Sequence, residues 1–266
     1  MILAESLVQG WITKYWDADH EIDWLDSEIE HSVELTSNVL LMGRIDAVGR
    51  DVQKELFFGE WKTSKPEWRS RKGEWKQTWR LNPQSLTYGV LIQDKYPGCS
   101  KFTVRKAFKS DPPAYDHAWY RYSTEELEHW RRQLIRIGNR IRTSSEGPWE
   151  TNFNACFKYG SKLPCPWFEP ACSKLNWSGK PDDATPRISH LELERRLNEP
   201  DPVTQYKRED VIVLDATRVA TWLDCHEKFR REYMENISPA PSEAMEIGKN
   251  FHDLLGEYYR QLAKGE

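Results

Sequence analysis

The sequence predicts an α/β protein. Runs with strand-like alternation and runs with helical spacing follow one another along the chain. Two of the strand-like runs also flank a short polar turn, as the arms of a hairpin do. With 266 residues, the chain is long enough for one large domain or two small ones, and can bury a sizeable core.

The elements follow in order. Ile2, Leu3, Leu7, Ile12 and Trp16 stand at helical spacing, which predicts a helix over 2–16. Residues 30–35, 39–48 and 56–63 read as strands, the last two joined by Gly49-Arg50-Asp51 into an antiparallel hairpin. Pro83 suits the first turn of a helix running to about Gln93. Residues 102–108 form a further strand. Ser123 and Glu126 resemble a capping box, and Leu127, Trp130, Leu134, Ile137 and Ile141 then share one helix face. Residues 145–172 look irregular. The polar, proline-containing stretch 173–210, with one short helix near 188–197, is expected to be a linker. Two helices, over 217–234 and 243–262, are expected to close the chain. The expected division is a core over 1–172, a linker over 173–210, and a helical segment over 211–266 packing on the core.

Composition narrows the function classes. A net charge of −4 argues against a uniformly basic surface, though only the local field at a cleft governs nucleic-acid binding. The apolar runs fall far short of the ~20 residues that span a bilayer. The start of the chain lacks a signal-peptide pattern, so an intracellular location is expected. Five cysteines in such a chain point to metal ligation or plain burial rather than disulfides. The absence of a GxxxxGK[ST] loop excludes a helicase motor of this type.

The chemistry concentrates in Gly43-Arg44-Ile45-Asp46 and Gly59-Glu60-Trp61-Lys62. Side chains two apart on a strand share a face, so Glu60 and Lys62 point the same way, and Asp46 can lie alongside from the preceding strand. Two carboxylates and an ammonium in one cleft suit a hydrated Mg²⁺ that takes further ligands from phosphate. The ion would acidify a water, and Lys62 would orient that water or offset developing charge. An exposed hairpin with a salt bridge is the alternative for the trio alone.

The next helix carries Gln84 and Tyr88, four apart on one face. The order GxxD, ExK, QxxxY resembles the PD-(D/E)XK nuclease superfamily, in particular its RecB-like exonuclease branch. The resemblance implies a restriction-endonuclease-like core, a mixed central sheet flanked by helices. It implies Mg²⁺- or Mn²⁺-dependent hydrolysis of DNA, on single strands or ends, with repair, recombination or replication partners. Asp46 and Glu60 would be metal ligands, the Trp61 carbonyl another, and Lys62 catalytic. Gln84 and Tyr88 would shape the site or contact DNA. The rival class is a DNA-binding or metal-stapled scaffold that keeps the fold without the activity.

That branch also has an N-terminal region with a cysteine helix, then a Gly and a metal-ligating His four residues later. Nothing before Asp46 fits. Cys225, followed by basic and aromatic residues, and then Gly248 and His252 resemble that region placed last. The chain therefore reads as a circular permutant, with 173–210 joining the old termini. A cropped tandem copy acting in a neighbouring chain is the alternative, and a half-buried helix histidine is the structural one.

Several RecB-like nucleases bind a [4Fe–4S] cluster through one cysteine near this helix and three near the end of the fold. The matching residues here are Cys225 with Cys156, Cys165 and Cys172. Their gaps of nine and seven residues depart from the family's CxxC pattern. An iron–sulfur cluster, Zn²⁺ and buried free thiols all remain open. Residues 61–80 interleave Trp61, Trp68, Trp75 and Trp79 with seven basic residues. This stretch either follows a phosphate backbone and stacks bases, or packs its tryptophans onto the sheet.

Overall fold

The computed structural model describes residues 2–64, 74–144, 149, 152–157, 165–168, 172, 185–186, 211–235, 237–238 and 243–265. In chain order they form α1 (Ile2–His20), β1 (Asp23–Thr36), β2 (Val39–Arg50), β3 (Leu56–Ser64), α2 (Glu74–Trp79), α3 (Pro83–Lys95), β4 (Lys101–Phe108), β5 (Ala114–Arg121) and α4 (Thr124–Thr143). A short 3-10 turn (Phe153–Phe157) and β6 (Thr185–Pro186) follow. Then come β7 (Ile212–Leu214), α5 (Ala216–Asp224), α6 (His226–Phe229), a π turn (Arg230–Met234), β8 (Ile237–Ser238) and α7 (Glu243–Lys264). Most of the stretch expected to be a linker, and its short helix, lies outside the described residues, as do Arg69, Arg71 and Lys72 of the basic loop.

The sheet is mixed, as expected, with strand order β1-β2-β3-β4-β5 and β7 beside β2. β2 and β3 are antiparallel, β3 and β4 parallel, and β4 and β5 antiparallel. A parallel pair needs a crossover, and α3 lies on it between β3 and β4. Its first turn is set by Asn82, whose side chain accepts from Gln84 N at 2.8 Å, with Pro83 just inside.

Several local expectations are corrected. β1 starts at Asp23, not Glu30; the charged stretch before Glu30 hid the alternation of Trp24, Ser27 and Ile29, which are buried. The hairpin turn lies at 51–55 rather than 49–51. Gly49 is still paired with Phe57, and Asp51 closes the turn by accepting from Gln53 N and Glu55 N at 2.9 and 3.0 Å. β5 was missed because half of it faces solvent and it carries only scattered aromatics. The helix expected over 217–234 is interrupted at Cys225, whose backbone is extended. The interruption frees the Asp224 carbonyl, which accepts from Asn152 Nδ2 at 2.9 Å.

The chain forms two compact units. Residues 1–33, 41–133 and 242–266 make the first, and residues 34–40 and 134–241 the second. These boundaries cut across the expected 1–172 core and put the closing helix α7 in the first unit, apart from α5 and α6.

The core of the first unit lies between the sheet and the helices α1 and α7. Leu7, Trp11 and Tyr15 of α1 meet Phe251, Leu255 and Tyr259 of α7 over Ala47, Phe57, Trp61 and Ala107 of the sheet. A polar clamp is buried among them. Arg105 Nη1 donates to Asp19 Oδ1 (2.5 Å) and to Tyr259 Oη (2.9 Å), Tyr259 donates to Asp19 Oδ2 (3.0 Å), and Trp11 Nε1 donates to Tyr259 (2.9 Å). Every charge in it is paired, which burial requires. The clamp ties α7 to α1 and to the central strand β4.

In the second unit, Val219, Trp222 and Phe229 are buried, and the rings of Trp222 and Phe229 pack edge-on with centroids 5.3 Å apart. β7 joins through Ile212 N, which donates to Asn38 O at 2.8 Å.

Candidate active site

The β2–β3 ladder ends at Ala47↔Gly59, one step before Asp46 and Glu60. There the Asp46 carboxylate takes over a backbone donor: Oδ2 accepts from Trp61 N at 2.6 Å. A side chain thus replaces a strand partner at this point. Strand alternation turns the Trp61 indole toward α1 and α7, and Glu60 and Lys62 to the opposite face.

Glu60 has no solvent exposure, and neither carboxylate oxygen accepts a hydrogen bond. Lys62 is paired with it, Nζ lying 3.6 Å from Oε2. Burial pushes the Glu60 pKa up, and Lys62 offsets this in part. A buried carboxylate without hydrogen bonds is costly, and a bound cation is one way to satisfy it.

Gln84 and Tyr88 are joined, Gln84 Nε2 donating to Tyr88 Oη at 3.2 Å. They sit against β2 because Gly43 has no side chain. A Cβ there would lie 3.2 Å from both Tyr88 Cε1 and Leu91 Cδ2. The Gly of the GxxD run and the Tyr of the QxxxY run are therefore in direct contact.

α7 completes the arrangement from the far end of the chain. Gly248 lies over Thr63, and His252 Nδ1 is 3.7 Å from Asp46 Oδ1. Burial pushes the His252 pKa down, which favours the neutral imidazole, the metal-ligating form.

Sequence reasoning missed Glu28 on β1. Glu28, Asp46 and His252 offer ligand atoms that all lie within 4.8 Å of one another. Glu28 hid in the run Asp26-Ser27-Glu28-Ile29-Glu30, where no spacing sets one acid apart. Lys106 of β4 was also missed. It is the register partner of Lys62, and its ammonium lies 4.7 Å from the ring centroid of Trp75 and 5.3 Å from that of Trp79. Burial, then the Lys62 charge, pushes its pKa down to about 8. A charged pair, Arg105-Lys106, inside an otherwise apolar strand was the available signal. Trp75 is buried, so at least this tryptophan of the basic stretch packs inward.

A divalent cation fits Glu28, Asp46 and His252, which offer hard carboxylate oxygens and one imidazole. Glu60, whose two oxygens are buried without hydrogen bonds, is not among the ligand atoms gathered within 4.8 Å of one another.

The second unit holds the cysteines. Cys156, Cys165, Cys172 and Cys225 line one cavity of about 70 Å³, with Asn152, Trp167 and Lys228 among its walls. Cys225 reaches it from the break between α5 and α6. Burial raises the pKa of Cys156, Cys165 and Cys172, the last to about 11, and neighbouring cysteines add to each shift. Among the described residues the cysteines do not form a group of three whose sulfurs all lie within 4.8 Å of one another. Cys99 is buried apart from them, in the first unit.

Such a fold and such a carboxylate–lysine site define a class, the metal-dependent nucleases that hydrolyse nucleic-acid phosphodiesters. Comparison with protein-family models matches residues 2–167 to the PD-(D/E)XK nuclease superfamily, and the chain belongs to it. No curated protein matched the chain in a sequence comparison. The nucleases of this superfamily use divalent metals and act on nucleic acid. Among the described residues, no helix is long and apolar enough to cross a membrane.

Proposed function

We propose that this protein is a Mg²⁺- or Mn²⁺-dependent deoxyribonuclease of the RecB-like kind, an exonuclease on single strands or DNA ends, built as a circular permutant. The observation that carries this reading is the 3.7 Å approach of His252, on the closing helix, to Asp46. An ordinary surface hairpin would have no reason to recruit a half-buried histidine from the opposite end of the chain. Since α7 packs in the same unit as the strands, a neighbouring chain is not needed to supply it.

In this reading Asp46, Glu60 and His252 hold the cation, and the Trp61 carbonyl is a further donor. A divalent ion bound there supplies charge stabilisation for the phosphodiester and makes water more acidic. Lys62, on the same face as Glu60, orients the attacking water and offsets the charge that develops on the phosphate oxygens as the P–O bond breaks. The Gln84–Tyr88 pair borders the site and positions the strand. Trp79, partly exposed with its ring centroid 5.9 Å from Lys62 Nζ, adds an aromatic flank suited to stacking a base.

In the second unit, the four cysteines are proposed to hold a [4Fe–4S] cluster. Four cysteines around one cavity match the four thiolates such a cluster takes. Visible absorption and about four irons per chain in anaerobically purified protein are expected. Zinc alone, or no metal, contradicts the cluster and leaves the nuclease reading intact.

The nuclease reading is tested with end-labelled single- and double-stranded DNA in Mg²⁺, Mn²⁺ or EDTA. Stepwise loss from ends that needs the metal is expected. DNA binding without cleavage in either metal would leave the scaffold alternative.

A further inference from the structure

We infer that Glu28 is an additional ligand of the divalent cation and that its strained place on β1 serves this role. The inference rests on the nuclease reading above and adds a residue that the motifs do not contain.

Glu28 has φ +51°, a left-handed conformation that a non-glycine residue rarely adopts within a strand. Its surroundings fix it there. A Cβ on Gly256 of α7 would sit 2.7 Å from Glu28 Cγ, so the helix leaves room for this side chain. Ser27 Oγ, beside it, donates to Gly256 O at 3.3 Å. Glu28 Oε2 pairs with the half-exposed Arg44 Nε at 3.0 Å, while Oε1 is buried and accepts no hydrogen bond. Glu28 and Asp46 thus bring two carboxylates together beside the His252 imidazole, with ligand atoms all within 4.8 Å of one another. Strain, an unpartnered oxygen and like-charge crowding are all unfavourable in the free protein. A cation among Glu28, Asp46 and His252 relieves the last two at once.

The test is Mn²⁺ titration by calorimetry into EDTA-stripped protein, together with melting temperatures with and without Mn²⁺. Glu28→Gln keeps the shape, and Glu28→Asn is a second variant because Asn tolerates positive φ. Wild type is expected to bind Mn²⁺. His252→Ala and both Glu28 variants should bind about tenfold or more weakly. Metal-free Glu28→Gln should melt no lower than wild type, since crowding with Asp46 is removed, but should gain less from Mn²⁺. A metal-free melting temperature that falls while Mn²⁺ affinity stays unchanged would show a structural role and overturn the inference alone. Failure of wild type to bind Mn²⁺ would overturn the nuclease reading and this inference with it.

Discussion

Lys62 and Glu60 are two residues apart, and their different burial suits them to the different tasks proposed for them. Glu60 is sealed from solvent without a hydrogen bond, as a group awaiting a cation would be. Lys62 remains partly exposed, where it can meet substrate. Lys62→Ala is therefore expected to slow cleavage about 100- to 1,000-fold, the usual cost of losing one group that stabilises transition-state charge. Single-turnover rates at saturating Mn²⁺ check this, and a loss below about threefold would remove Lys62 from the chemistry. At this scale strand and helix periods put Glu60 with Lys62, and Gln84 with Tyr88, on shared faces, while the resemblance to the superfamily's motifs singled out these residues and Asp46. Glu28 and Lys106 were not singled out, because their significance comes from contacts between segments distant in sequence and from a backbone angle that no local pattern encodes.

At the scale of elements, the β2–β3 hairpin and the α1–β4–α7 clamp hold the site in shape. Burial alone would raise the Asp51 pKa. Its bonds with Lys101 and with the Gln53 and Glu55 backbone N–H groups outweigh this and hold it below the usual aspartate value. A lowered folded-state pKa contributes stability above the unfolded value, about 3.9, and that stability disappears as pH falls through the folded value. Asp51→Asn should thus melt lower than wild type at pH 7, with the difference shrinking below about pH 4. A gap that stays constant across that range would contradict the assignment. In the clamp, Asp19→Ala leaves the Arg105 guanidinium buried without its carboxylate, and a loss of about 3–5 kcal/mol in urea unfolding is expected. A loss under about 1 kcal/mol would mean that the clamp does not secure α7. Periodicity marked α1, α4 and α7, and Pro83 marked α3, but α1 buries Ala4, Leu7, Val8, Trp11 and Tyr15 and leaves Leu3 and Trp16 of the expected face exposed. Periodicity could not mark the break at Cys225, where the surrounding residues still read as helix.

Across the whole molecule, the chain's two ends carry parts of one unit. Residues 1–33 and 242–266 fold with the central strands, and a separate unit built from 34–40 and 134–241 holds the four-cysteine cavity. The mixed sheet was foreseen through the resemblance to the superfamily's motifs, and α3 on the crossover between β3 and β4 supplies its physical basis. The division into units was not foreseen, since it depends on which buried faces meet. Gly248 and His252 were singled out by the order of the resembling motifs, and their nearness to Thr63 and Asp46 supports the proposed permutation. The central claim is that the closing helix completes the metal site. It is tested most directly by comparing wild type with His252→Ala in Mn²⁺-dependent degradation of end-labelled single-stranded DNA, alongside their Mn²⁺ affinities. The account predicts metal-dependent cleavage by wild type, at least about 100-fold slower in the variant, with weakened Mn²⁺ binding and an unchanged fold. Equal cleavage and equal affinity in the two proteins would contradict it.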